Sequence, residues 1–145
     1  MYTKYRLGRE TKRILVGHVR NYKKHREWLV RERDRIVNIT AAQIDGLPHG
    51  TDTKSPTEIA TEQLERLEYT YPARIVNAID YAKLTFALDL EDGVREKLLK
   101  CVWESCEGGK NCSYEMLSDV PYSRSQFYKR ENEFLNRIGR ELGEI

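Results

Sequence analysis

What the chain lacks narrows it first. No stretch of its 145 residues approaches the ~20 consecutive apolar side chains that a membrane span requires. Nor does a short apolar core follow the basic N-terminus, so a secretion signal is not expected and a cytoplasmic address is. Cysteine is scarce. Cys101, Cys106 and Cys112 are odd in number, which argues against a disulfide framework. Their C-x4-C and C-x5-C spacings omit the close C-x2-C pair of most zinc sites, and His18, His25 and His49 lie far away in sequence. No metal is expected, and the thiols read as ordinary residues in or near a helical core. There is no G-x4-G-K-[ST] phosphate loop, no H-E-x2-H and no glycine-rich turn after a strand. The carboxylates Glu62, Asp80, Glu91 and Asp92 sit on helical stretches at spacings that suit solvent or salt bridges. No catalytic residue and no cofactor is expected.

What is present is charge, and it is unevenly placed. Charged residues make up 33% of the chain and hydrophobic ones 39%, for a net charge of +2. Residues 1–35 hold 12 Lys and Arg against 4 Asp and Glu, residues 36–120 hold 8 against 15, and residues 121–145 hold 5 against 4. The segment charges of +8, −7 and +1 sum to +2. Basic segments at both ends suggest contact with a polyanion at two places. The alternative is that these charges only solvate helix faces.

The pattern throughout is helical. From about Arg9 to Asn38 one long basic helix is expected, with Leu15, Val19, Tyr22, Leu29 and Ile36 at helical spacing and Ile14, Trp28 and Val37 widening the stripe. Arg26 and Arg33 interrupt a second apolar seam, so a sustained coiled coil is not expected. The other face is a ladder of Lys12, Arg13, Arg20, Lys23, Lys24, Arg31 and Arg35. Of these, Arg13, Arg20, Lys23 and Lys24 are the phosphate-contact candidates. Residues 39–56, rich in Gly, Pro, Asp, Thr and Ser, read as a linker. Ser55, Pro56 and Glu58 then open a second helix with an S-x-x-E capping box. Pro72 interrupts it, and the pattern resumes over residues 73–88. A further helix spans residues 91–107, stopped by Gly108-Gly109.

At the C-terminus, Tyr122-Ser123-Arg124-Ser125-Gln126-Phe127-Tyr128-Lys129-Arg130 specifies a helix start. Ser123 is a good N-cap, Gln126 completes an S-x-x-Q box, and Tyr122 with Phe127 can form a hydrophobic staple. At about 100° per residue, Phe127, Glu131, Phe134, Leu135, Ile138 and Leu142 share one stripe. Ser125, Lys129, Asn132 and Asn136 fall opposite, flanked by Gln126 and Tyr128. A short helix over residues 113–120 would precede it, giving helix-turn-helix spacing over about 113–143. The expected architecture is all-α. A basic helix (1–38) and a linker (39–56) lead to a helical domain (57–145) that ends in the helix-turn-helix.

The string from Tyr122 to Arg130, with Glu133-Phe134-Leu135 and Glu141-Leu142-Gly143, resembles the C-terminus of phage transcriptional regulators of the RinA/ArpU type. Ser55-Pro56-Thr57-Glu58 after a basic helix is similar too. Gln126 stands where that family commonly has Thr, and Cys106-Glu107-Gly108-Gly109-Lys110-Asn111-Cys112 is a departure. The resemblance implies a sigma-factor-like helix-turn-helix that regulates late phage genes in a bacterial host cell. The expected partner is double-stranded DNA. Arg124, Ser125, Gln126, Tyr128, Lys129, Arg130 and Asn132 would face it, with Arg130 on phosphate. Host RNA polymerase and a homo-oligomer are further candidate partners, and no membrane contact is expected. Two other classes stand beside this one. One is a DNA-packaging protein like a small terminase subunit. The other is a protein-binding scaffold whose acidic middle receives a basic partner.

Overall fold

The computed structural model describes residues 6–46, 55–109, 114–117 and 120–145, and no strand occurs among them. Five α-helices run in order: α1 (Arg9–Gly46), α2 (Pro56–Leu67), α3 (Tyr71–Thr85), α4 (Asp92–Gly108) and α5 (Arg124–Leu142). A 3₁₀ turn, Tyr114–Met116, lies between α4 and α5.

The capping chemistry fixes three of the helix ends. The Ser55 hydroxyl accepts the Glu58 N–H at 3.2 Å with Pro56 in the first turn of α2, and the Ser123 hydroxyl accepts the Gln126 N–H at 3.4 Å. Gly143 closes α5 in the left-handed region at φ 71°, where a glycine carries no Cβ penalty. The stop between α2 and α3 falls at Glu68–Thr70, just ahead of Pro72.

Three boundaries differ from the sequence reading. α1 continues through residues 39–46, which had the composition of a linker. The remainder of that linker, 47–54, lies outside the described residues. The Thr40 hydroxyl donates back to the Ile36 carbonyl, so one polar residue of the stretch is absorbed into the helix. α3 ends at Thr85, and residues 86–89 form a turn. The helix expected over 113–120 is reduced, among the described residues, to the Tyr114–Met116 turn.

The chain divides into two compact units, one of residues 1–22 and 77–145, the other of residues 23–76. This differs from a separate N-terminal helix followed by a linker. α1 and α3 each contribute to both units, because the apolar stripe of α1 is used along its whole length. Leu15, Val19, Tyr22, Leu29 and Ile36 are all buried. Ile14 and Val37, expected to widen that stripe, are exposed. In the smaller unit, Leu29 and Ile36 share the buried set with Ala60, Leu67, Ala73 and Ile75, and Arg33 pairs with Glu68 at 2.9 Å.

The larger unit is built round α5. Phe134 meets Phe86 edge-on at 5.6 Å and Trp103 at 6.3 Å. A Cβ placed on Gly139 would lie 3.3 Å from the Leu15 side chain, so α1 packs against this end of α5. Cys101 and Cys106 are buried on α4, as expected of core cysteines, and Cys112 lies outside the described residues. Removing the Phe134 ring would forfeit its burial and leave a cavity, at a cost of about 3–5 kcal/mol. Urea unfolding of Phe134→Ala should show that loss through a lowered midpoint at unchanged slope.

Candidate nucleic-acid interface

The two ends of α5 have different surroundings. Arg124, Ser125, Gln126 and Lys129 are exposed, and Tyr128 is half-buried. From Glu131 to Gly139 every residue is buried or half-buried. The polar outer face expected along the helix therefore stops after two turns. Asn136, placed on that face by its angle, is only 2% exposed. Its Oδ1 and that of Asn132 are buried with no hydrogen-bond partner among the described residues. Asn132 is half-buried and turns its carboxamide oxygen inward. A helical wheel assumes one flat partner surface, whereas this helix is enclosed from several sides.

Arg130 is also committed to the fold. Its Nη1 and Nη2 donate to the two Asp89 carboxylate oxygens at 3.0 and 2.7 Å, and Nη1 reaches Glu133 at 3.2 Å. Such a bidentate pair is the stronger kind of ionic hydrogen bond. It holds the Asp89 carboxyl below the usual carboxylate range and raises the guanidinium still further above its ordinary value. Arg130 ties α5 to the turn after α3, a role the sequence assigned to phosphate contact.

The first turn of α5 is braced from below. Tyr114 donates its hydroxyl to the Tyr122 carbonyl at 2.7 Å and lies 5.7 Å from the Phe127 ring. Tyr128 stands 5.5 Å from the same ring, and its hydroxyl accepts the Tyr114 N–H at 3.5 Å. The Tyr122 ring lies under Arg130 rather than serving only as a staple. Two cations flank Tyr128: Lys12 Nζ is 5.8 Å from the ring centroid and Arg124 Cζ is 6.0 Å from it. Arg124 also pairs with Glu115 at 3.1 Å, an exposed contact of little net worth. Tyr128 is therefore a platform that positions two basic side chains beside the exposed Lys129.

On α1, Arg13, Lys23 and Lys24 are exposed, as a phosphate ladder requires. Arg20 is held at the end of α4, where its Nε donates to the Cys106 carbonyl at 3.2 Å. A cation there complements the negative end of the helix dipole, and any side chain on Gly109 would collide with this guanidinium.

Sequence reasoning missed the cluster beneath this surface. Glu131 is 5% exposed; it accepts from the Ser105 hydroxyl at 3.3 Å and the Cys106 thiol at 3.8 Å, and Lys12 Nζ lies 4.0 Å away. A carboxylate inside an otherwise apolar stripe was the available signal. Burial pushes this carboxyl up, opposed first by Lys12 and then by the Ser105 and Cys106 hydrogen bonds. Burial and the neighbouring carboxylate also push the Cys106 thiol well up, which leaves it protonated and unreactive. His18, buried on α1, meets Glu144 at 3.1 Å. Among the described residues no group of three His, Cys, Asp or Glu is placed to hold a metal ion, and no helix is long and apolar enough to cross a membrane.

No family model, curated protein or solved structure matches the chain.

The two carboxyls titrate with opposite consequences. Glu131 binds its proton more tightly in the folded chain, so its contribution is full below the ordinary Glu range and is lost as pH rises through the raised native value. Asp89 binds its proton less tightly when folded, so its contribution is present above the ordinary Asp range and is lost as pH falls through the lowered native value. Denaturation midpoints measured from about pH 3 to about pH 8 should show Glu131→Gln with a flatter decline toward neutral pH, and Asp89→Asn with a flatter acid limb. An unchanged slope for Glu131→Gln would contradict the buried carboxyl.

Proposed function

We propose that the chain is a sequence-specific regulator that binds double-stranded DNA and reads its site with the first two turns of α5. One observation carries this reading. The first two turns of α5 expose Arg124, Ser125, Gln126 and Lys129, which are basic or hydrogen-bonding, while every residue from Glu131 to Gly139 is buried or half-buried. Helices that read the major groove offer base edges their N-terminal residues and use the rest to hold the scaffold. Gln126 suits bidentate contact with adenine, Lys129 with guanine, and Ser125 with either. Arg124 and Lys12, set against Tyr128, suit the flanking phosphates, and Arg13, Lys23 and Lys24 add sequence-independent affinity. The positive end of the α5 dipole adds to the same field. Moving Arg124 from Glu115 to a phosphate exchanges one exposed ionic contact for another and costs little.

The resemblance of the C-terminal string to RinA/ArpU-type regulators supports the finer reading, regulation of late phage genes with host RNA polymerase as a partner. The decisive experiment is selection of bound duplexes from random DNA, followed by mobility-shift titration on the winning site. Gln126→Ala and Lys129→Ala should each weaken specific binding by roughly 1–3 kcal/mol. Arg124→Ala and Arg13→Ala should weaken all sequences alike and reduce the salt slope by about one unit each. Arg130→Ala should act through stability, seen in the unfolding midpoint. Full affinity in both Gln126→Ala and Lys129→Ala would end the assignment of α5 as the reading helix.

A further inference from the structure

The corner between α3 and α4 is the least solvent-adapted surface of the larger unit. Leu84 is 73% exposed and Leu88 is 67% exposed, and Tyr81 stands exposed one turn before Leu84 on α3. A lone exposed leucine needs no explanation, but three large apolar side chains within eight residues form a patch. The corner is also stiffly built. Phe86 and Ala87, between the two leucines, are fully buried, and Ala87 takes a left-handed φ of 52°. Arg95 donates to the carbonyls of Phe86 at 2.7 Å, Lys83 at 2.6 Å and Leu84 at 2.9 Å. The leucines are thus lifted outward by a turn whose backbone is fixed from beneath.

The rim of this patch is acidic. Glu91, Asp92 and Glu96 are exposed; of the two bases that flank Glu96, Arg95 is turned onto the α3 carbonyls and Lys97 is exposed. Acids at the start of α4 also suit its dipole, yet that role does not account for the leucines beside them.

Elsewhere the chain carries a surface of the opposite character. On α1, Lys23, Arg26, Val30 and Val37 are all exposed, with Val30 at 48% and Val37 at 53%. At about 100° per residue these four lie within about 60° of one another, so they form one stripe of two cations and two valines, with the exposed Asp34 at its edge. The largest charge contrast in the sequence, +8 over residues 1–35 against −7 over residues 36–120, runs between these same two regions.

We propose that the Tyr81–Leu84–Leu88 corner docks the Lys23–Arg26–Val30–Val37 stripe of a second copy of the chain, head to tail. Two corners facing each other would oppose Glu91, Asp92 and Glu96 with their own copies, and such like-charge contact is unfavourable. Unlike surfaces meeting in this way leave one corner and one stripe open on each pair. Association therefore continues to a closed ring or an open chain of subunits. This contact uses none of the residues exposed on α5, and of the DNA-contact candidates it shares Lys23.

Sedimentation velocity of the full chain without DNA tests it. Mass should rise with protein concentration and fall as salt is added. Leu84→Glu and Val30→Glu alter exposed positions, so circular dichroism should show an intact helical chain for each. Each variant alone should associate at least about tenfold more weakly, as removal of a central apolar anchor does. The two variants mixed in equal amounts should form heterodimers and nothing larger. Leu84→Glu keeps a sound stripe, Val30→Glu keeps a sound corner, and one contact is all they can make. A chain that stays monomeric at every concentration would overturn the proposal, as would association indifferent to either substitution or a mixture no better than its parts.

Discussion

Enclosure of α5 from Glu131 to Gly139 is the constraint from which the larger unit follows. A stretch of helix with no exposed residue needs neighbours on every side, and three separate stretches supply them. The first half of α1 brings Leu15, His18 and Lys12, the turn after α3 brings Phe86 and Asp89, and α4 brings Trp103, Ser105 and Cys106. Phe134 and Ile138 can be fully dry only because these stretches meet round them. The polar residues caught in the same space are then obliged to find partners, since an unpaired buried charge is costly. Glu131 takes Lys12 and two donors from α4, and Glu133 takes Arg130 and Arg137.

The same enclosure decides what is left for recognition. Arg130 and Asn132 belong to the helix that was expected to face a ligand, but one is clamped to Asp89 and the other turns its carbonyl oxygen inward. What survives is short, rigidly based and chemically mixed: a hydroxyl, a carboxamide and a lysine, with two further cations laid against Tyr128. Rigidity suits sequence reading, because little side-chain and backbone entropy remains to be lost on binding.

Features governed by neighbouring residues were legible in the sequence. Ser55 and Ser123 cap their helices, Gly143 ends α5, and the heptad-spaced Leu15, Tyr22, Leu29 and Ile36 are buried. These depend on local hydrogen bonds and on a periodicity that one helix carries by itself. The burial of Asn136 was not legible, because it depends on what packs against the segment from far along the chain. In the candidate site, Gln126 and Lys129 followed from their angle alone, whereas the tie from Arg130 to Asp89 spans 41 residues and the cluster beneath Tyr128 joins three helices. Exposure of Ile14 and Val37 has the same origin: a stripe is only as wide as the partner that covers it.

The contact between His18 and Glu144 joins residues 126 apart. On the ribosome, the first half of α1 emerges well before the helix that covers it. Leu15 must therefore wait, without that cover, until α5 has been made. Long separations of this kind also slow the search for the native arrangement once the chain is free. A message broken or a ribosome stalled anywhere before α5 yields a fragment with a bare apolar stripe, the signal by which chaperones and proteases recognise unfinished protein. In this fold, the making of α5 and the covering of the first half of α1 are one condition.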